Sequence, residues 1–278
     1  MKLAVSNIAW TPQEAVHAYR ILSEQGFTGL EIAPGLLFAG SDDPFAPSSG
    51  ELKGQMTELS GHGLTCISMQ SLLFGVSGAA LFGDDHERRT FERGISRAIH
   101  LAGRMGVGNL VLGCPKQRVI PDGMPASKAR DLAIECLQRL GDLAAAEGTC
   151  IGLEANPEAY GTNFLNTFDE VTSLLTLLDH PAVRATFDFG ATQLNQEGEE
   201  YPTQLILHAP LVNHVHVSAP HLALSPSSDE IADPLLGSLK ASGYASWISI
   251  EMKRPTGGLG DVATCVQRLA AAATRISE

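Results

Sequence analysis

The chain has 278 residues and a formal charge of −12, from 31 acidic and 19 basic side chains. Hydrophobic residues make up 44% and charged residues 18%, which excludes a disordered chain and provides for a large core. A negative surface repels phosphate at long range, so neither nucleic acid nor an anionic membrane is an expected partner.

Short apolar runs alternate with longer stretches of helical period. Residues 3–9 read as the first strand. Thr11-Pro12 then opens a helix over residues 12–25, with Glu14 completing a capping box and Gly26 as the stop. Further strands are predicted at 29–33, 65–71, 109–114, 150–155, 184–189, 212–218 and 247–252. Helices are predicted between them, among others at 87–105, 126–147 and 168–178, with Gly106 and Gly148 ending the first two. Eight such units in one chain, roughly 35 residues each, predict a single-domain (β/α)8 TIM barrel spanning residues 1–278. The rival doubly wound sheet normally carries a glycine-rich turn after its first strand, and this chain has Ser-Asn-Ile-Ala-Trp-Thr-Pro there. Stretches 34–50, 74–85 and 219–233 follow strands two, three and seven, and are expected to shape a pocket on the catalytic face.

The five cysteines form no C-x-x-C pair and read as reduced thiols, which suggests a cytoplasmic protein. The amino-terminal segment is too briefly apolar for a signal peptide, and no run of 18 apolar residues occurs.

Four strands end on metal-ligating residue types: Glu154 closes Ile-Gly-Leu-Glu, Asp188 closes Ala-Thr-Phe-Asp, His216 closes Asn-His-Val-His, and Glu251 closes Ile-Ser-Ile-Glu. Each lies about one βα repeat from the next, and a barrel brings such positions to one rim. Three converging carboxylates repel one another, and a divalent cation removes the conflict. Three oxygen donors and one imidazole suit Mn²⁺, Mg²⁺ or Co²⁺ better than a thiolate-rich zinc site, and Mn²⁺ is the expected ion.

The runs Leu-Glu-Ala-Asn-Pro, Asp-Phe-Gly, Val-His-Val and Ser-Ile-Glu-Met resemble the xylose isomerase-like barrel superfamily. That superfamily covers sugar isomerases, ketose epimerases, inosose dehydratases and type IV AP endonucleases. The resemblance implies a metal-dependent isomerase or epimerase acting on a sugar, keto-sugar or cyclitol. It makes Glu154 and Glu251 the catalytic acid–base pair, with Asp188 and His216 anchoring the ion. The choice of His216 over His214 also rests on that pattern. Many relatives carry a histidine three residues after the strand-six aspartate, where this chain has Ala191.

Around this centre, Glu31 and Gln70 end strands two and three and are expected to read sugar hydroxyls. Asn156, Glu158, His214 and Lys253 are the other expected substrate contacts, with a core role for His214 and a salt bridge for Lys253 as the alternatives. Trp10 and Phe74 read as core or pocket wall. Lys116 and Arg118, after strand four, form a weak phosphate signal, and His221 follows the ligand strand closely. The expected partner is a small carbohydrate, with a homo-oligomer expected only by analogy of fold. A lyase or dehydratase would share the first proton abstraction. A DNA repair nuclease fits less well, given the acidic balance and Ala191, and a non-catalytic scaffold has no use for three converging carboxylates.

Overall fold

A computed structural model describes residues 1–277. In chain order the elements are β1 (Lys2–Ser6), α1 (Ala15–Glu24), β2 (Gly29–Ile32), α2 (Pro34–Leu37), α3 (Ser49–Gly61), β3 (Thr65–Met69), α4 (Asp85–Met105), β4 (Asn109–Leu112) and α5 (Ala126–Ala146). They continue with β5 (Ile151–Glu154), α6 (Phe168–Leu178), β6 (Val183–Asp188), α7 (Phe189–Leu194), α8 (Tyr201–His208), β7 (Val212–Val217), α9 (Asp229–Ala241), β8 (Trp247–Ile250) and α10 (Leu259–Ser277). The strands are parallel and close in sequence order, with β8 pairing back onto β1. The fold is the (β/α)8 barrel that the alternation predicts.

The first helix begins as Thr11 and Glu14 anticipate. Glu14 accepts hydrogen bonds from the backbone and side chain of Thr11, and the chain passes through one 3-10 turn before α1. Arg254, after β8, clamps the same carboxylate at 2.7 and 2.8 Å, so this cap also ties the two ends of the barrel together. Gly26, Gly106 and Gly148 all take positive φ at helix ends, where a side chain would be strained.

Strands stop earlier than the apolar runs do. Residues 7–9 leave β1 as a 3-10 turn because the Asn7 side chain bonds the backbone of Ala33 beyond β2 instead of continuing the ladder. The glycine-rich stretches are also less irregular than their composition suggests. The first holds α2, and α3 starts at its end with a Ser48–Glu51 capping box.

Alternate strand residues face the surrounding helices. Leu30, Ile32, Met69, Leu110, Leu112, Ile151, Leu153, Phe187, Val215, Val217, Ile248 and Ile250 are all essentially buried there. Each such side chain contributes roughly 1.5–3 kcal/mol on burial. The lumen differs from the branched apolar filling common in this fold. Gln70 bonds Ser6 from β3 to β1, Asn213 bonds Asn109 from β7 to β4, and His216 bonds Glu31 from β7 to β2. Those strands are not neighbours, so these pairs meet inside the barrel. A polar network therefore runs down the axis, and its upper end is the candidate site.

Candidate active site and metal centre

Glu154, Asp188, His216 and Glu251 converge at one rim of the barrel. One ligand atom from each lies within 4.8 Å of all the others. His216 Nδ1 is the common point: it stands 3.0 Å from Glu154 Oε1, 3.3 Å from Glu251 Oε2 and 3.6 Å from Asp188 Oδ2. Strand register explains the meeting. Asp188 pairs with His216 across β6 and β7, Glu154 on β5 pairs with Thr186, two residues before Asp188, and Glu251 follows β8 two residues beyond Ser249, the partner of His216.

The other face of the imidazole is fixed from below. His216 Nε2 donates to Glu31 Oε2 at 3.0 Å, and Gln70 Nε2 donates to Glu31 Oε1 at 2.9 Å. A histidine whose Nε2–H is held by a carboxylate presents Nδ1 to a metal, in the arrangement common behind metal-ligating histidines. His214 Nε2 lies 3.0 Å from the same Glu31 oxygen but off the line of a hydrogen bond, and its ring meets His216 edge-on at 5.1 Å.

Charge in the cluster is unbalanced. Burial alone lowers the affinity of His216 for a proton, but Glu251 and Glu31, with hydrogen bonds to Asp188 and Glu154, hold its pKa well above the ordinary value. Burial pushes Glu251 up to about 7, against the pull of His216. Burial also disfavours the Glu31 carboxylate, yet His216 and His214 keep it well below the usual range. Burial lowers His214, which is therefore neutral. Thus one imidazolium faces Glu154, Asp188 and a Glu251 that gives up its proton only near pH 7. Leaving a buried carboxylate uncompensated costs on the order of several kcal/mol. A divalent cation among these four donors supplies the missing charge, so the residues fit a hard metal ion.

Asp188 is held twice more. Ala191 N donates to Oδ1 at 2.6 Å, making Asp188 the N-cap of α7, and Ser218 Oγ donates to Oδ2 at 2.9 Å. Glu154 Oε2 accepts from Asn156 Nδ2 at 3.0 Å.

Two cavities open over the cluster. One of about 400 Å³ is walled by Tyr160, Ala191, His221, Leu222 and Lys253. The other, of about 300 Å³, is walled by Gln70, Ser71, Phe74, Cys114 and Gln117. Glu154 and Glu251 border both.

The expected substrate contacts are thus distributed unevenly. Lys253 lines the larger cavity and makes no ion pair among the described residues. Gln70 lines the smaller one. Asn156 reaches the larger cavity, but its amide already engages Glu154 and Arg118. Glu31 and His214 are buried beneath the cluster and line neither cavity. Glu158 is exposed and also lines neither, because the turn Glu158–Tyr160 carries Tyr160 inward instead.

Of the secondary candidates, Trp10 is core and Phe74 is 59% exposed at the smaller cavity. Arg118, half of the weak phosphate signal after strand four, is completely buried, and burial pushes its guanidinium down to about 10. Nothing in the sequence marks Tyr160 as a site residue. It meets His221 edge-on at 5.8 Å, and its hydroxyl accepts from His221 N at 2.9 Å. His221 and Leu222 both hold positive φ, a backbone that L side chains seldom adopt and that the Tyr160 bond helps to fix. No helix among the described residues is long and apolar enough to cross a membrane.

Among curated relatives, a 3-dehydro-D-guloside 4-epimerase of Escherichia coli (strain K12) is 24% identical over 259 residues, covering 90% of this chain and 92% of that protein. The solved structure of a 3-keto-D-glucoside 4-epimerase from E. coli superposes with a TM-score of 0.76 at 19% identity, covering 100% of this chain and 99% of the other. A D-psicose 3-epimerase from Clostridium cellulolyticum H10, solved with D-tagatose, gives a TM-score of 0.76 at 16% identity, with 100% and 98% covered. The family model described as xylose isomerase-like TIM barrel matches residues 19–272, and the chain belongs to that family.

Proposed function

We propose that this protein is a divalent-metal-dependent epimerase of a keto-sugar, with Glu154 and Glu251 as its acid–base pair. The observation that carries this reading is the placement of the two glutamates. They rise from β5 and β8, both approach His216 Nδ1, and both border both cavities, so a ligand in either cavity lies beside both carboxylates. The activities of the relatives, epimerisation of a keto-glycoside and of a ketose, support it.

A bound metal ion, with Mn²⁺ best suited to three carboxylates and one imidazole and Mg²⁺ or Co²⁺ as substitutes, would polarise the carbonyl beside the reacting carbon. Glu154, Asp188, His216 and Glu251 would hold it. One glutamate removes the C–H proton, and the electron pair moves into the neighbouring carbonyl to give an enediolate. The other glutamate returns a proton to the opposite face and inverts the carbon. Lys253 is placed to contact a substrate oxygen from the larger cavity, and Gln70 from the smaller.

The test is a solvent-deuterium screen of the Mn²⁺-loaded protein over D-fructose, D-psicose, D-tagatose and a methyl 3-keto-D-glucoside. The expected result is deuterium at one carbon and a product of unchanged skeleton. A product lighter by water, or split in two, assigns the site to a lyase instead. Glu154→Gln and Glu251→Gln should each lower turnover by about 10²–10⁴-fold or more with the fold intact by circular dichroism. Full turnover in either variant, or in EDTA-treated protein without metal, overturns the reading.

A further inference from the structure

Arg118 follows the short turn Pro115–Gln117 beyond β4 and is the largest side chain that is completely buried. It forms no ion pair among the described residues. Its Nη2 donates to Asn156 Oδ1 at 2.7 Å and to the Glu154 backbone carbonyl at 3.1 Å, while Nε and Nη1 have no hydrogen-bond partner. A buried cation without a bonded carboxylate costs stability, and an apolar side chain of similar volume fills such a space more favourably.

Nor is the guanidinium needed to fasten the neighbouring loops. The Arg118 backbone carbonyl accepts from Thr162 Oγ1 at 3.1 Å. The Asn163 side chain bonds both the N–H and the carbonyl of Ile120, at 2.7 and 3.0 Å. The guanidinium instead holds the Glu154 backbone carbonyl and sets the Asn156 amide, whose Nδ2 also donates to the Ala155 carbonyl at 3.1 Å. With Oδ1 held by Arg118, Nδ2 must face Glu154 Oε2, at 3.0 Å. A flipped amide would turn its NH₂ toward the guanidinium and its oxygen toward a carboxylate, both repulsive.

The far side of the same carboxylate oxygen is closed. A Cβ on Gly113 would stand 2.6 Å from Glu154 Oε2, so the oxygen lies between the Gly113 backbone and the Asn156 amide. Glu251 has no such brace: its close partner is His216 Nδ1 at 3.3 Å, which it shares with Glu154 and Asp188.

We propose that Arg118 is a positioning residue that, through Asn156, aims Glu154 Oε2 at the reacting carbon and so controls proton transfer on one face of the substrate only. This rests on the assignment of Glu154 and Glu251 as the acid–base pair. Because each direction of epimerisation uses both glutamates, turnover depends on Glu154 from either epimer. Isotope exchange without turnover does not: it uses only the glutamate that faces the departing proton.

The experiment compares wild type and Arg118→Met, both loaded with Mn²⁺, using the ketose from the four-member panel with the fastest deuterium incorporation and its epimer. In the variant, turnover in both directions and wash-in from one epimer should fall about tenfold or more. Wash-in from the other epimer should stay within about twofold, and metal content and circular dichroism should match wild type. Arg118→Lys should restore part of the loss. If Arg118→Met does not fold, Asn156→Ser cuts the same link and should show the same one-sided loss. Equal loss of both wash-in rates, or no loss, overturns the role of Arg118 while leaving the reaction intact. A wild type that exchanges no deuterium with any of the four sugars overturns the acid–base assignment itself, and the positioning role with it.

Discussion

Glu31 commits both carboxylate oxygens to the interior of the barrel, one to Gln70 and one to His216. Its position at the end of a strand was readable in the sequence, and from that a sugar contact was expected. What it bonds was not readable, because its histidine lies 185 residues away and the pairing exists only once the barrel closes. Its burial makes a different use of the charge: holding the His216 Nε2–H keeps the ring oriented with Nδ1 toward the three carboxylates. The same reasoning separates Arg118 from Lys116. Two basic residues after a strand look alike in sequence, yet one is exposed and the other is enclosed beside Glu154. Glu31→Gln keeps the size of the side chain but removes its charge. It should weaken Mn²⁺ binding about 10–100-fold, the usual effect of losing an outer partner of a metal-bound histidine. Titration calorimetry at fixed pH checks this, and unchanged affinity would show that the Glu31 charge does not orient the ring.

At the level of elements, strand-end carboxylates at one-repeat spacing were legible because parallel strands of a barrel deliver their last residues to a common rim. The alternation of apolar and helical stretches was legible for the same reason: burial on the outer face of each strand imposes it. The short helix α7 was not, since residues 189–194 have no helical apolar period long enough to show, and the helix exists because Asp188 caps it. Its start is also packed against the loop after β7. A Cβ at Gly190 would stand 2.8 Å from the Ala219 carbonyl carbon and 2.8 Å from Ser218 Oγ. The carbonyl is backbone, so no rotamer change relieves it. Gly190→Ala should therefore cost about 1–3 kcal/mol, lowering the melting temperature by roughly 2–4 °C per kcal/mol. It should also weaken metal binding, because Ser218 Oγ donates to Asp188. Gly260→Ala, in α10 with nothing within 4 Å of the added Cβ, is the control and should be neutral or slightly stabilising. A melting scan of both variants decides, and equal melting temperatures would mean that α7 shifts freely.

Taken as a whole molecule, the barrel encloses a polar axis whose charges balance only when the rim cluster holds a cation, and this sets how stability depends on pH. In the metal-free protein His216 is held well above its ordinary 6.5, and Glu251 is pushed from 4.5 up to about 7. Both folded values exceed the unfolded ones. Their stabilising contributions are therefore present at lower pH and are lost as pH rises through the folded values. Glu31 and His214 act on the acid side. Glu31, held well below 4.5, contributes above its ordinary value and loses that contribution on acidification, while the neutral buried His214 resists the proton it would take up below 6.5 in the unfolded chain. The metal-free protein should therefore be most stable at about pH 5–6.5, between the ordinary carboxylate and imidazole values, and melt at progressively lower temperature as pH rises above that. Metal binding displaces the His216 and Glu251 protons, so it tightens as pH rises. At a Mn²⁺ concentration of about 100 times Kd the gain is about 2.7 kcal/mol, or roughly 5–10 °C at this chain length. Differential scanning calorimetry of EDTA-stripped protein, with and without fixed Mn²⁺ at pH 6 and pH 8.5, should show the larger gain at pH 8.5. A gain that is equal at both values, or larger at pH 6, would mean that the cluster does not bind metal in competition with protons, and the charge argument for a cation at this rim would fail.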